Sequence, residues 1–579
     1  MAHPNLIQQD APKFLGVNLR RERMDLADEE LAKAINVDLN TRAGMILGRR
    51  GRSKLYSSPL PDLVVRLLTR GDSRRYQVAG QRIYRDRALI KTTLSSELHT
   101  TVDFYRPLND TTTWAWIADP GGMFKDNGFA ADAYNWGIEA PTVTPSVGVT
   151  GTGLTGTFKV KFTYARVVGS AVVHESNPSP ASAAQALANQ NLAISGLTAS
   201  TDPQVTHIRI YRTLNSGTRY LFDQQIANGT TTATSSSADS ALGNEVEEDN
   251  DPPEACSWVA FFNETAFLLG DPDNPNYLYI SKRFRPEAVP DFIEVGEANR
   301  PLQCAMSIAG VLGVFNNHTK YRVTGNATSG YVATEHIGHR GTRSPRATAV
   351  SEYGIVFPAK DGVFLTNFLG PDQQLADDIL PLFYGETVND LSPINWTVAD
   401  KFCGLAYKDR YYFAYASGSN TNPDTVAVFS QYTKKWYFYQ YSNPVTALFY
   451  EEDEEQIVSG STDGFVYVLD DLSATGDSGS NISASVETKD YHGQQSNTRK
   501  VFLFFRVDAY VPSGTLTASF YVDGTSKRTA TITGNRTKRL LRLPEECMGY
   551  QWRLAFSYSG TGRVEIYGVS ALWLPLGGA

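Results

Sequence analysis

Sulfur is scarce in this sequence. Four cysteines occur in 579 residues, at Cys256, Cys304, Cys403 and Cys547. No two share a Cys-x-x-Cys spacing, so neither a zinc site nor a disulfide framework is indicated, and such usage suits a reducing compartment. No apolar run reaches the roughly 18 residues that a membrane-spanning helix needs. The stretch from Met1 to Asp10 lacks a basic start followed by an apolar core, which argues against a secretory leader. Also missing are a phosphate-binding glycine loop, a Gly-x-Ser-x-Gly elbow and a nucleophile paired with a base. The chain is therefore expected to be no enzyme and to need no cofactor.

Glycine and aromatics, by contrast, are plentiful, with 47 Gly, 30 Tyr and 28 Phe. They are arranged in a recurring unit, two apolar strands around a tight polar turn. Asp361-Gly362-Val363-Phe364-Leu365 and Asp463-Gly464-Phe465-Val466-Tyr467-Val468 are examples. Asn276-Tyr277-Leu278-Tyr279-Ile280 and Gln81-Arg82-Ile83-Tyr84 are others. Asp-Gly supplies the positive φ that short hairpins require, while alternation buries one face. Hairpins at this spacing with no helices between them imply an all-β fold with the radial repetition of a β-propeller.

The net charge of −8 is unevenly spread: residues 1–91 carry 18 Lys+Arg against 10 Asp+Glu, the remainder 35 against 51. A +8 segment joined to a −16 body implies two different electrostatic surfaces, unless the basic residues merely form a solvated face.

Residues 1–36 read as an N-terminal arm and a short helix. Asp25 would cap the helix, and Leu31, Ala34 and Ile35 would form its apolar face at spacings of three and four. Residues 37–139 read as the first propeller blades, with a hairpin across Asn40–Gly44 as the first blade edge. Residues 140–253 are rich in Thr, Ser, Ala and Gly. Phe158, Val160, Phe162 and Tyr164 alternate there with polar residues, and the segment resembles an inserted fibronectin type III sandwich closed by the acidic linker Glu245–Pro253. Residues 254–471 supply the remaining blades. A Gly/Ser/Asp linker at 472–480 precedes a C-terminal β-sandwich, jelly-roll-like, at 481–579. In it Leu516, Ala518, Phe520 and Val522 alternate, as do Trp552, Leu554, Phe556 and Tyr558.

Several constellations invite a chemical reading, and a structural one serves each better. The turn at Asp463 resembles the aspartate turns of sialidase propellers, where the carboxylate satisfies backbone N–H groups. Glu451–Glu455 lacks the alternation and glycine of a calcium loop, and Asp271–Asn276 reads equally well as a proline-marked turn. His336 and His339 would face opposite sides of a strand. Tyr411, Tyr412, Phe413, Tyr415, Trp436, Tyr437, Phe438 and Tyr439 suggest sugar binding, although alternation would place about half of them in a core.

The run Leu15-Gly16-Val17-Asn18-Leu19, then Ile35-Asn36-Val37-Asp38-Leu39 and Leu47-Gly48-Arg49-Arg50-Gly51, resembles the opening of a group of tailed-bacteriophage proteins. Together with the hairpins and both sandwiches, it resembles the tail nozzle proteins of short-tailed phages, also called tail tubular protein B. The resemblance covers most of the chain and carries no catalytic motif. It implies a homo-hexameric ring below the portal and adaptor, assembled in the host cytoplasm and resident in the virion tail. It also implies passage of double-stranded DNA, attachment of fibres or spikes, and no insertion into a membrane. Arg20, Arg21, Arg23, Arg49, Arg50 and Arg52 become candidates for the adaptor or subunit interface, and acidity elsewhere would suit a channel that must release DNA. Two other readings stay open: a carbohydrate-binding or glycan-cleaving propeller adhesin, and a minor tail or connector component of another tailed phage.

Overall fold

The computed structural model describes residues 6–576 except 12, 43, 96–97 and 494–495; the readings made on Met1–Asn5 lie outside the described residues. The chain is nearly all β and divides into two compact units, residues 1–80 with 337–579, and residues 81–336. No helix among the described residues is long and apolar enough to cross a membrane.

The repeating element is a four-stranded antiparallel meander. In the first unit, Ala349–Ser351, Gly354–Ala359, Gly362–Thr366 and Gln373–Gln374 form one meander. Cys403–Tyr407, Arg410–Tyr415, Thr425–Ser430 and Lys435–Gln440 form the next. Val445–Glu451, Gln456–Ser461 and Val466–Asp471 make three strands of a third, and its fourth strand is Gly51–Lys54, from the other end of the chain. The first strands of these meanders lie side by side, and Val64–Thr69 continues the series. The second unit repeats the arrangement in meanders that begin at Thr101–Tyr105, Trp114–Asp119, at Trp258–Phe262, Thr265–Leu269, and at Leu302–Ile308, Val311–Asn316. Successive four-stranded meanders with adjacent first strands make a propeller-like all-β fold.

The turns explain part of this regularity. Type I′ hairpin turns need φ > 0 at both central residues, and Asp86–Arg87, Asn263–Glu264, Ala309–Gly310 and Asp523–Gly524 all meet that condition. At Gly464 (φ +77) a Cβ would meet the Leu60 carbonyl oxygen at 2.2 Å, so only glycine fits.

Residues 146–235 form a three-stranded sheet (Ser146–Phe158, Gln185–Ser195, Ala233–Ser235) and a four-stranded one (Ala171–Glu175, Val160–Val168, His207–Thr213, Tyr220–Ala227). They share a core that includes Phe158, Val160, Phe162, Leu192, Ile208 and Ile210. The acidic stretch after them is tied down: Lys282 bonds Asp249 and Asn250, and Arg285 bonds Glu247.

Three expectations are corrected in the first unit. No helix forms between Asp25 and Ile35. Glu30–Ile35 is a strand with all six residues buried, paired with Gly16–Val17 on one side and Ile482–Thr488 on the other. An apolar strand buried on both faces satisfies three-and-four spacing as well as a helix does. Nor is residues 1–36 an arm: Ile7–Ala11 pairs with Glu565–Pro575, and Phe14, Val17 and Leu19 are core residues. Finally, the Val37–Asp38 and Ile46–Gly48 hairpin joins Glu565–Pro575, so it belongs to the C-terminal sheet and not to a blade edge.

Candidate functional site

The six arginines singled out by sequence separate by depth. Arg20 and Arg21 are exposed, Arg23 and Arg50 half-buried, and Arg49 and Arg52 fully buried. Arg20 pairs with Asp377, while Arg23 pairs with Glu487 and donates to the Asn389 side chain at 2.7 Å. The expected interface role fails for Arg49 and Arg52. A buried guanidinium must be desolvated and paired, and both are spent inside their own unit.

Arg49 donates Nη1 and Nη2 to the two carboxylate oxygens of Asp477 at 2.7 and 2.5 Å, and Nε to Asn36 Oδ1 at 2.8 Å. Its guanidinium lies 4.3 Å from the centre of the Tyr441 ring. Burial pushes its pKa down, and the Asp477 carboxylate more than reverses this. Arg52 stacks over Tyr467 and Tyr441 and donates to Ser442 Oγ at 3.1 Å; burial dominates there and its pKa falls. Asn36 holds the centre with φ +57: its Oδ1 also accepts from the Gln440 backbone at 2.8 Å, and its Nδ2 donates to the Ser483 carbonyl at 2.7 Å. Asp38, buried, accepts from Arg563 at 3.1 Å and Arg410 at 3.5 Å. Burial raises the pKa of Asp38, but Arg410, the Thr41 hydroxyl and the turn N–H groups of Thr41 and Asn40 hold it below the ordinary range.

These residues come from the N-terminal strands, the last two meanders with the segments beside them, and the C-terminal sheet. The cluster is a clasp: it pairs, orients and excludes water. Beside it is a cavity of about 420 Å³ lined in part by Tyr407, Arg410, Tyr412, Asp470 and Asp471. Burial pushes the Asp470 carboxyl up, and its backbone sits at φ +53. The cavity lining also holds Lys408, Asp409, Glu454 and Glu455.

The other candidates resolve into structure. Asp463 accepts from the Phe465 N–H and from Tyr467 Oη at 2.7 Å, and Asp271 accepts from the Asp273 N–H and Tyr279 Oη. All eight residues of the aromatic cluster are buried, not half of them, because that meander is covered on both faces. No group of three or more His, Cys, Asp or Glu could hold a metal among the described residues.

Sequence reasoning missed a buried charge cluster in the second unit. Lys125 Nζ lies 2.5 Å from Glu287 Oε2, His174 Nε2 lies 3.9 Å from the same oxygen, and Arg166 pairs with Asp110. Asp110 also accepts from Trp114 Nε1 at 2.7 Å. Lys125 and Glu287 stand 162 positions apart, so no local spacing could announce them.

No family model and no curated protein matches the chain. Among solved structures, the chain is similar to the computationally designed Ika8 protein at 9% identity, TM-score 0.24, over 79% of this chain and 99% of that one. It is also similar to the Pan2 WD40 domain of Neurospora crassa at 8% identity, TM-score 0.29, over 73% and 94%. Scores this low carry no argument, and the propeller-like assignment rests on the meanders themselves.

Proposed function

We propose that this protein is a structural subunit of a bacteriophage tail, a ring-forming nozzle below the portal and adaptor that conducts DNA outward and supports fibres or spikes. In this reading the meanders are propeller blades, residues 146–235 are a fibronectin type III-like insertion, and the C-terminal sheet is a jelly-roll-like sandwich.

One observation carries the reading. The residues behind the resemblance to phage tail proteins, Asn18, Asn36, Asp38 and Arg49, are all buried, and each bonds within the first unit: Asn18 donates to Glu30, and the other three form the clasp. Asn36, Asp38 and Arg49 bind the N-terminal strands to the C-terminal part of the chain, which suits a scaffold under mechanical demand, because a subunit that guides a polymer must not open there. With Arg49 and Arg52 internal, the exposed Arg20 and Arg21 remain as the basic surface for an acidic neighbour.

Mass photometry of the purified protein should show assemblies of about six copies of the 63.7 kDa chain, and antibody against the C-terminal residues should label phage tails in electron micrographs. A strictly monomeric protein that binds glycans, with no label on tails, overturns the proposal in favour of an adhesin.

A further inference from the structure

The strand Thr525–Arg542 carries charge of one sign only. Its 18 residues include Lys527, Arg528, Arg536, Lys538, Arg539 and Arg542 and no acid. The chain is −8 overall, so everything outside this strand sums to −14. Lys538, Arg539 and Arg542 are exposed, and Lys527 and Arg528 half-buried. Carboxylates beside it include Asp508, opposite Lys538 in the register, Asp523 at the turn, and Glu545, 3.5 Å from Arg542. One edge of the strand pairs with Lys500–Val522; the other edge has no strand against it among the described residues.

We propose that this free basic edge binds double-stranded nucleic acid through its phosphates. The described cations fall into two groups, 527–528 and 538–542. Arg528 and Lys538 are ten residues apart, up to about 33 Å along a straight strand at about 3.3 Å per residue. One turn of B-form duplex is about 34 Å. Two cationic groups spaced within that limit can reach successive crossings of the phosphate backbone on one side of a duplex, a spacing that an acidic protein surface does not impose. Between them Thr531 and Thr533 are exposed and offer hydroxyl donors of the kind that contact phosphate oxygens. The contact reads backbone and not base sequence, so it is salt-sensitive and tolerant of any duplex.

The test uses a fluorescein-labelled 30-bp DNA duplex of arbitrary sequence and anisotropy titrations between 50 and 200 mM NaCl. The full-length protein should bind with an affinity that falls steeply with salt. The triple variant Lys538→Ser/Arg539→Ser/Arg542→Ser, whose side chains are exposed and whose melt should match the parent, should lower the log–log salt slope by about 2 to 3, near 0.9 per lost phosphate contact. The double variant Lys527→Ser/Arg528→Ser should lower it by about 1 to 2. No salt-dependent binding, or a slope unchanged in both variants, overturns the inference. So does duplex-independent self-association that the variants abolish, since the edge would then serve a second copy. This inference does not depend on the nozzle reading: a monomer that binds duplex supports it, and a ring that ignores duplex refutes it alone.

Discussion

Arg49 and Asp477 form a doubly hydrogen-bonded ion pair between positions 428 apart in sequence, and their side chains are 1% and 5% exposed. Removing one partner leaves the other charged and desolvated, which typically costs about 3 to 5 kcal/mol. We expect Asp477→Ala to lower the melting temperature of the first unit by several degrees. The double variant Arg49→Met/Asp477→Leu should recover most of the loss, because two apolar side chains need no partner. Calorimetry on the three proteins decides, and an Asp477→Ala melt equal to the parent's would show the pair to be idle.

That pair also shows where the sequence stopped being legible. Hairpins such as Gly354–Ala359 with Gly362–Thr366, turning at Asp361-Gly362, could be read because alternation and turn chemistry are local. So could the buried phase of Trp552, Leu554, Phe556 and Tyr558. Arg49 and Arg52 read as surface because burying a guanidinium is expensive, and the carboxylate that makes Arg49 affordable lies hundreds of residues away. Leu31, Ala34 and Ile35 read as a helix face because a doubly buried strand has no period of its own. In each case the missing information was a long-range partner.

Truncation of residues 1–23 removes Phe14, Val17 and Leu19, all nearly inaccessible to solvent. Burial of such side chains is worth about 1.5 to 3 kcal/mol each, or about 5 to 9 together, comparable with the whole stability of an ordinary domain. The truncated chain should fail to give a cooperative melt for this unit. A soluble truncated protein with native circular dichroism and an unchanged transition would contradict the placement of these residues in the core.

Gly51 begins the strand that completes the last meander, and a Cβ there would meet the Gly476 carbonyl oxygen at 2.1 Å, backbone against backbone. Gly51→Ala must therefore push Gly51–Lys54 away from Val466–Asp471. Limited proteolysis should cut the variant near residues 472–480 much faster than the parent, while Gly71→Ala, with open space around it, should not change the pattern. Equal cleavage in all three proteins would rule out this steric role.

His174 is buried beside Lys125, Arg166 and Glu287, and burial pushes its pKa down from 6.5 to about 4; Lys125 and Arg166 add to the fall while Glu287 opposes it. The unfolded chain takes up this proton near pH 6.5 and the folded chain only near pH 4. The folded state is thus undisturbed above pH 6.5 and loses stability as the pH falls through this window, by up to about 3 kcal/mol. Asp103 works in the opposite direction: burial lifts its carboxyl to about 6, so protonation below that pH favours the folded form. His174→Gln should flatten the acid loss between pH 6.5 and 4, and Asp103→Asn should steepen it, because the counterweight is gone. Urea melts of the second unit across this range separate the two, and a His174→Gln profile parallel to the parent's would mean that the imidazole titrates alike in both states.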